Sequence, residues 1–153
     1  MKIAFFTEMP FEGKVPRTHK NARVEFAWMI ALDAYHYNIS KTPKEEYDLG
    51  IVIIPKKNPS FTLDHIKSKC KKVGVMQEGP HTLFQDYSLE QQIQYLNLLT
   101  SSDTIFTHNK LDKQYYQGLT NHPDVRVLRS LMIEDPIGEL KKVDRKGVII
   151  GGN

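Results

Sequence analysis

Short apolar runs separated by stretches of helical periodicity limit what this chain can become more than any other feature. Residues 3–6, 49–54, 73–76, 103–107 and 125–128 are strand-length and rich in Ile, Val and Phe. Continuous apolar runs of that length suit strands buried on both faces. Between the first and second of these, Val24, Ala27, Trp28, Ala31, Leu32 and Tyr35 recur at three- and four-residue steps. That spacing predicts an amphipathic helix, with Asn21 as its cap. Residues 37–39 read as a further short strand.

The same alternation continues along the chain. Leu63, Ile66 and Cys70 share one helical face, and Thr62 is the predicted cap. Ser88 and Gln91 stand at capping-box spacing before a helix whose predicted buried stripe is Leu89, Ile93, Leu96 and Leu98 or Leu99. A last helix over 111–119 closes at Gly118 or Asn121. Strands alternating with helices at this spacing predict an α/β fold, a doubly wound, Rossmann-like parallel sheet with helices on both faces.

Composition removes several classes of protein. Hydrophobic residues make up 40% and charged residues 25% of the 153, which is globular and not disordered. No apolar run reaches the ~20 residues that span a bilayer, and no signal-peptide pattern opens the chain, so a cytoplasmic location is expected. Cys70 is the single cysteine, which excludes an internal disulfide framework. The flanking Lys67, Lys69, Lys71 and Lys72 can lower a thiol pKa, yet a structural cysteine at a helix end is the expectation. A formal net charge of +3 is compatible with a polyanionic partner without requiring one. The chain has no Walker A loop, dinucleotide-binding glycine fingerprint, zincin helix or nucleophile elbow. Asp33, His36 and His65 form no recognisable metal set, and no metal is expected.

Ligands of open α/β sheets bind outside the carboxyl ends of the strands, so the polar residues there are the first candidates. After residues 3–6 comes a proline-pinned basic loop with Thr7, Glu8, Arg17, His19 and Lys20. A long loop of that kind more often binds than merely connects. Gln77-Glu78-Gly79-Pro80-His81 follows the strand at 73–76, and His108-Asn109 follows the strand at 103–107. Trp28, at helical spacing, is assigned to the core.

The layout resembles the N-terminal half of a two-domain GT-B glycosyltransferase. The resemblance runs through Lys2-Ile3-Ala4-Phe5-Phe6, Val73-Gly74-Val75-Met76-Gln77-Glu78-Gly79-Pro80-His81, Ser102-Asp103-Thr104-Ile105-Phe106-Thr107-His108-Asn109 and the closing Gly147-Val148-Ile149-Ile150-Gly151-Gly152-Asn153. It implies an acceptor-binding domain over 1–146. Residues 147–153 would then begin a missing or truncated C-terminal domain that binds the nucleotide-sugar. The chain alone would bind no cofactor and would be inactive without that donor half. The pattern over 73–109 is also similar to bacteriophage enzymes that glycosylate modified cytosines, which implies DNA carrying hydroxymethylated cytosine as the acceptor.

Within this resemblance Glu78 is the candidate catalytic base, taking the proton of the acceptor hydroxyl as its oxygen attacks the anomeric carbon. The competing role is capping of backbone amides in the Gly79-Pro80 turn. Glu8, Arg17, His19, His81, His108 and Asn109 are candidate acceptor-binding residues, with arginine offering a rigid fork for phosphate oxygens. Asn109 equally suits a helix cap. Gly151 and Gly152 are candidates for close backbone approach to the donor diphosphate, although a glycine pair is an unspecific signal. The alternative reading is a self-contained doubly wound module that holds a small ligand in the loops after Phe6, Met76 and Thr107, without catalysis.

Overall fold

The computed structural model describes residues 1–17, 24–59, 61–77 and 81–131. The elements run β1 (Ile3–Thr7), β2 (Gly13–Lys14), α1 (Val24–Ala31), β3 (Tyr35–Asn38), β4 (Leu49–Ile54), α2 (Asp64–Lys67), β5 (Val73–Gln77), a 3-10 helix (His81–Asp86), α3 (Leu89–Ser101), β6 (Thr104–Thr107), α4 (Lys110–Thr120) and β7 (Val125–Val127). Among the described residues they form one seven-stranded sheet in the order β2-β3-β1-β4-β5-β6-β7. All neighbours pair parallel except β2, which lies antiparallel on β3. The α/β, doubly wound, Rossmann-like class is therefore present.

The pleat sorts the strand residues into two cores. Phe5, Ile51, Ile53 and Met76 face α1 together with Phe26, Trp28 and Met29. Phe6, Val52, Ile54, Val75 and Ile105 face α2, α3 and α4 through Ile66, Tyr95, Leu98, Leu99 and Tyr116. β1 is buried along its whole length because helices cover both of its faces. A Cβ at Gly74 would meet the Phe106 ring at 2.3 Å, so a side chain there requires that ring to shift.

Several local expectations need correction. The helix stripe on α1 is Phe26, Ala27, Trp28 and Met29, while Ala31 is exposed and Leu32 38% exposed. Four consecutive buried residues mean that α1 is enclosed from more than the sheet side. Phe11 stacks on Phe26 with centroids 5.9 Å apart, and the Trp28 indole N–H donates to the Arg129 carbonyl at 2.9 Å. Tyr35 belongs to β3, which starts earlier than the strand expected at 37–39. The N-cap of α2 is Leu63 with no side-chain cap bond, so Thr62 does not cap it. On α3 the buried residues are Tyr95, Leu98 and Leu99, whereas Leu89 is 73% and Ile93 52% exposed. The helix docks through the side carrying Tyr95, whose hydroxyl meets that of Tyr116 at 2.9 Å. The cap expected at Asn21 lies outside the described residues.

Other expectations hold. Ser88 and Gln91 make the reciprocal capping box of α3. Asn121, with a left-handed φ of 51°, ends α4, and Gly118 lies inside that helix. Cys70 is buried, and burial pushes its thiol up to about 11, opposite to what the flanking lysines would do. Among the described residues no helix is long and apolar enough to cross a membrane.

Candidate functional site

From β1 the chain passes through α1 to β3 on one side, then returns to β4 on the other. The helices that follow β1 and β4 lie on opposite faces, so a crevice opens at the carboxyl ends of these two strands. The described residues nearest to it come from β1, β4, β5, β6 and the first turns of α1.

The loop leaving β1 is held by two side chains of β3. His36 is fully buried, its Nε2 2.9 Å from Thr7 Oγ1 and its Nδ1 2.8 Å from the Phe11 carbonyl. A carbonyl only accepts, so Nδ1 carries the proton and Nε2 accepts from the threonine hydroxyl. Thr7 Oγ1 in turn accepts from the Met9 amide at 3.1 Å. Asn38 donates to the carbonyls of Glu8 and Met9, both at 3.1 Å. Desolvation drives the imidazole pKa down to about 4, and the nearby Glu12 charge offsets this only in part. His36 is therefore a neutral clamp, not a charged ligand. The sequence did not single out this role, and the short edge strand β2, preceded by Phe11, whose ring stacks on His36, was also unforeseen; Gly13 in β2 has a φ of 130°.

The candidates fall into distinct settings. Glu8 and Arg17 are exposed on the clamped loop. His108 is half-buried at the end of β6, its ring stacked on Trp28 with centroids 6.0 Å apart and planes 20° from parallel. Asn109 caps α4: its Oδ1 accepts from the Asp112 amide at 2.9 Å, and its Nδ2 donates to Asp112 Oδ2 at 2.9 Å. His81 opens the 3-10 helix directly after the β5 loop. His19, Glu78, Gly151 and Gly152 lie outside the described residues, as does the expected domain boundary at 146.

Beside His108 the crevice deepens into a cavity of about 110 Å³ lined by Val24, Glu25, Trp28, Ile53, Met76, Gln77 and His108. Gln77 has the pleat parity opposite to Met76, and its amide nitrogen lies 3.5 Å from the Tyr87 hydroxyl on the far face. His108 brings a polar ring to the cavity wall. Trp28 was assigned to the core, and at 1% exposure it is core; it is also a wall of this cavity. Helical periodicity could not distinguish these roles, because the cavity forms only where α1 meets three strand ends.

A larger hollow of about 510 Å³ lies at the opposite, amino end of the sheet, among Lys2, Lys14, Asp33, Tyr35, Glu45 and Tyr47. Its charges are already paired. Lys14 meets Asp33 at 2.5 Å, Lys2 pairs with Glu45, and the Lys2 ammonium also sits 4.9 Å from the Tyr47 ring centroid. Among the described residues no three His, Cys, Asp or Glu side chains converge as a metal site.

Fold and site define a doubly wound α/β domain with a narrow, aromatic-walled crevice at its carboxyl edge. No protein-family model, no curated protein and no solved structure matches this chain.

Proposed function

We propose that this chain is the acceptor-binding half of a two-domain glycosyltransferase, which moves a sugar from a nucleotide-sugar to an acceptor hydroxyl. The observation supporting this reading is the strand order. It sets the ends of β1, β4, β5 and β6 side by side, so that the segments bearing Glu8, Arg17 and His108 leave from one edge. A second domain facing that edge would complete a cleft and bring the donor.

In this reaction the acceptor oxygen forms a bond to the anomeric carbon as the bond to the nucleotide diphosphate breaks. Glu78 takes the hydroxyl proton, and the diphosphate leaves with the nucleotide. His108, half-buried on its aromatic neighbour, orients the acceptor. Exposed Lys56 and Lys57 just beyond β4, with Arg17, would neutralise phosphates of a DNA acceptor such as one containing hydroxymethylated cytosine. The sequence reading passed over this lysine pair, for which charge alone is a weak signal.

The test is binding by the 153-residue chain. It should bind duplex DNA with an affinity that falls steeply with salt, and it should bind no nucleotide-sugar. Multiple-turnover transfer by this chain alone would refute the division of labour. The small cavity at the strand ends favours a second reading, a stand-alone small-ligand module, and salt-independent binding of a small ligand with no affinity for DNA would select it.

A further inference from the structure

We propose that the cavity between α1 and the carboxyl ends of β4, β5 and β6 is a binding subsite for a single flat aromatic ring with one polar edge. The inference does not rest on glycosyl transfer, since ring binding and transfer can each succeed without the other.

Size sets the first limit. About 110 Å³ is close to the apolar cavities that accept a benzene-sized molecule, and too small for a fused bicyclic ligand to enter whole. Wall chemistry sets the second. Val24, Trp28, Ile53 and Met76 present carbon, so water held there would lack the two to four polar partners that it needs. A pyranose of similar size is excluded on the same ground. Its hydroxyls project around the whole ring, while most of the lining side chains present carbon, and each buried hydroxyl without a partner weakens binding.

Geometry sets the third limit. The His108 and Trp28 rings lie 20° from parallel, an arrangement that a third flat ring extends by offset stacking. Among the described residues neither nitrogen of His108 makes a hydrogen bond, so the imidazole retains a donor and an acceptor for the polar edge of the ligand. The pocket also opens at the strand ends, where ligands of this fold class enter.

Trp28 is the single tryptophan of the chain, so its indole N–H gives one resolved NMR signal beside the cavity. Titration of the ¹⁵N-labelled protein with phenol should move that signal saturably at millimolar concentration, while methyl glucoside at a hundredfold higher concentration should not. Met76→Phe fills the cavity and should weaken phenol binding at least tenfold. Val24→Phe, from the half-exposed first turn of α1, does the same from the other wall and decides the question if Met76→Phe fails to fold. His108→Ala should weaken binding three- to tenfold. No saturable shift with phenol, equal binding of the glucoside, or undiminished phenol binding by a folded cavity-filled variant would overturn the proposal.

Discussion

The two ends of the sheet use their polar residues in opposite ways. At the amino end, side chains close the starts of strands. Asp48 accepts from the Lys2 amide at 2.8 Å, Asp103 accepts from the Val73 amide at 2.7 Å, and Asp124 accepts from the Thr104 hydroxyl at 2.8 Å. His122 joins them, with Nε2 3.0 Å from the Ser102 carbonyl. At the carboxyl end, His36 and Asn38 fix one loop, and beyond them His108, Glu8 and Arg17 stand at the crevice. The larger hollow lies at the amino end and the smaller, apolar one at the carboxyl end. Volume is therefore a poor guide here. A hollow rimmed by charges that already pair with one another has little left to offer a ligand, whereas a small one beside a half-buried imidazole can discriminate.

The largest effect that would sharpen this contrast belongs to Glu78. When the chain is supplied with a donor-binding domain, Glu78→Gln should lower transfer by roughly 10²–10⁴-fold without altering the melting temperature. A normal rate would remove the base role and leave the fold untouched. Next in size is the His36 clamp. Its folded pKa, about 4, lies below the ordinary 6.5, so between these values the unfolded chain binds a proton that the folded chain refuses. Stability should be full above pH 6.5 and fall by up to ~3 kcal/mol as pH drops to 4. Urea unfolding across that range measures it, and His36→Gln should flatten the profile in this window.

A third change tests how closely β5 packs against β6. Gly74→Ala places a methyl group against the Phe106 ring, which is half-buried and able to shift, so a loss of about 1–3 kcal/mol is expected. An unchanged urea midpoint would mean that Phe106 moves freely. The smallest effect is expected at the amino end. Lys14 and Asp33 are 56% and 81% exposed, and a double-mutant cycle should give a coupling of about 0.5 kcal/mol or less. Altered phenol binding in either single variant would break the separation between the two ends.

How far the sequence carried depended on the range of the signal. The strands at 49–54 and 104–107, the capping box at Ser88 and Gln91 and the Asn109 cap rest on residues within one turn or one run, and they were legible. Leu89 and Ile93 were misplaced because their spacing suits a buried stripe as well as Tyr95, Leu98 and Leu99 do. Only contact with Tyr116 chooses between the two faces. His36 offered no signal, since its partners Thr7 and Phe11 come from a strand and a loop distant in sequence. Trp28 was read as core, and its second role needed the position of His108.

By itself, then, the sequence determined the class of fold, the alternation of strand and helix, and the set of polar residues that follow the strands. These depend on periodicity and on turn chemistry, which act over a few residues. Tertiary structure decided the strand order, the pleat parity that turns the Gln77 side chain away from the cavity, and the meeting of Trp28 with His108. Each of these depends on chain segments far apart in sequence packing against one another, and no local pattern records it.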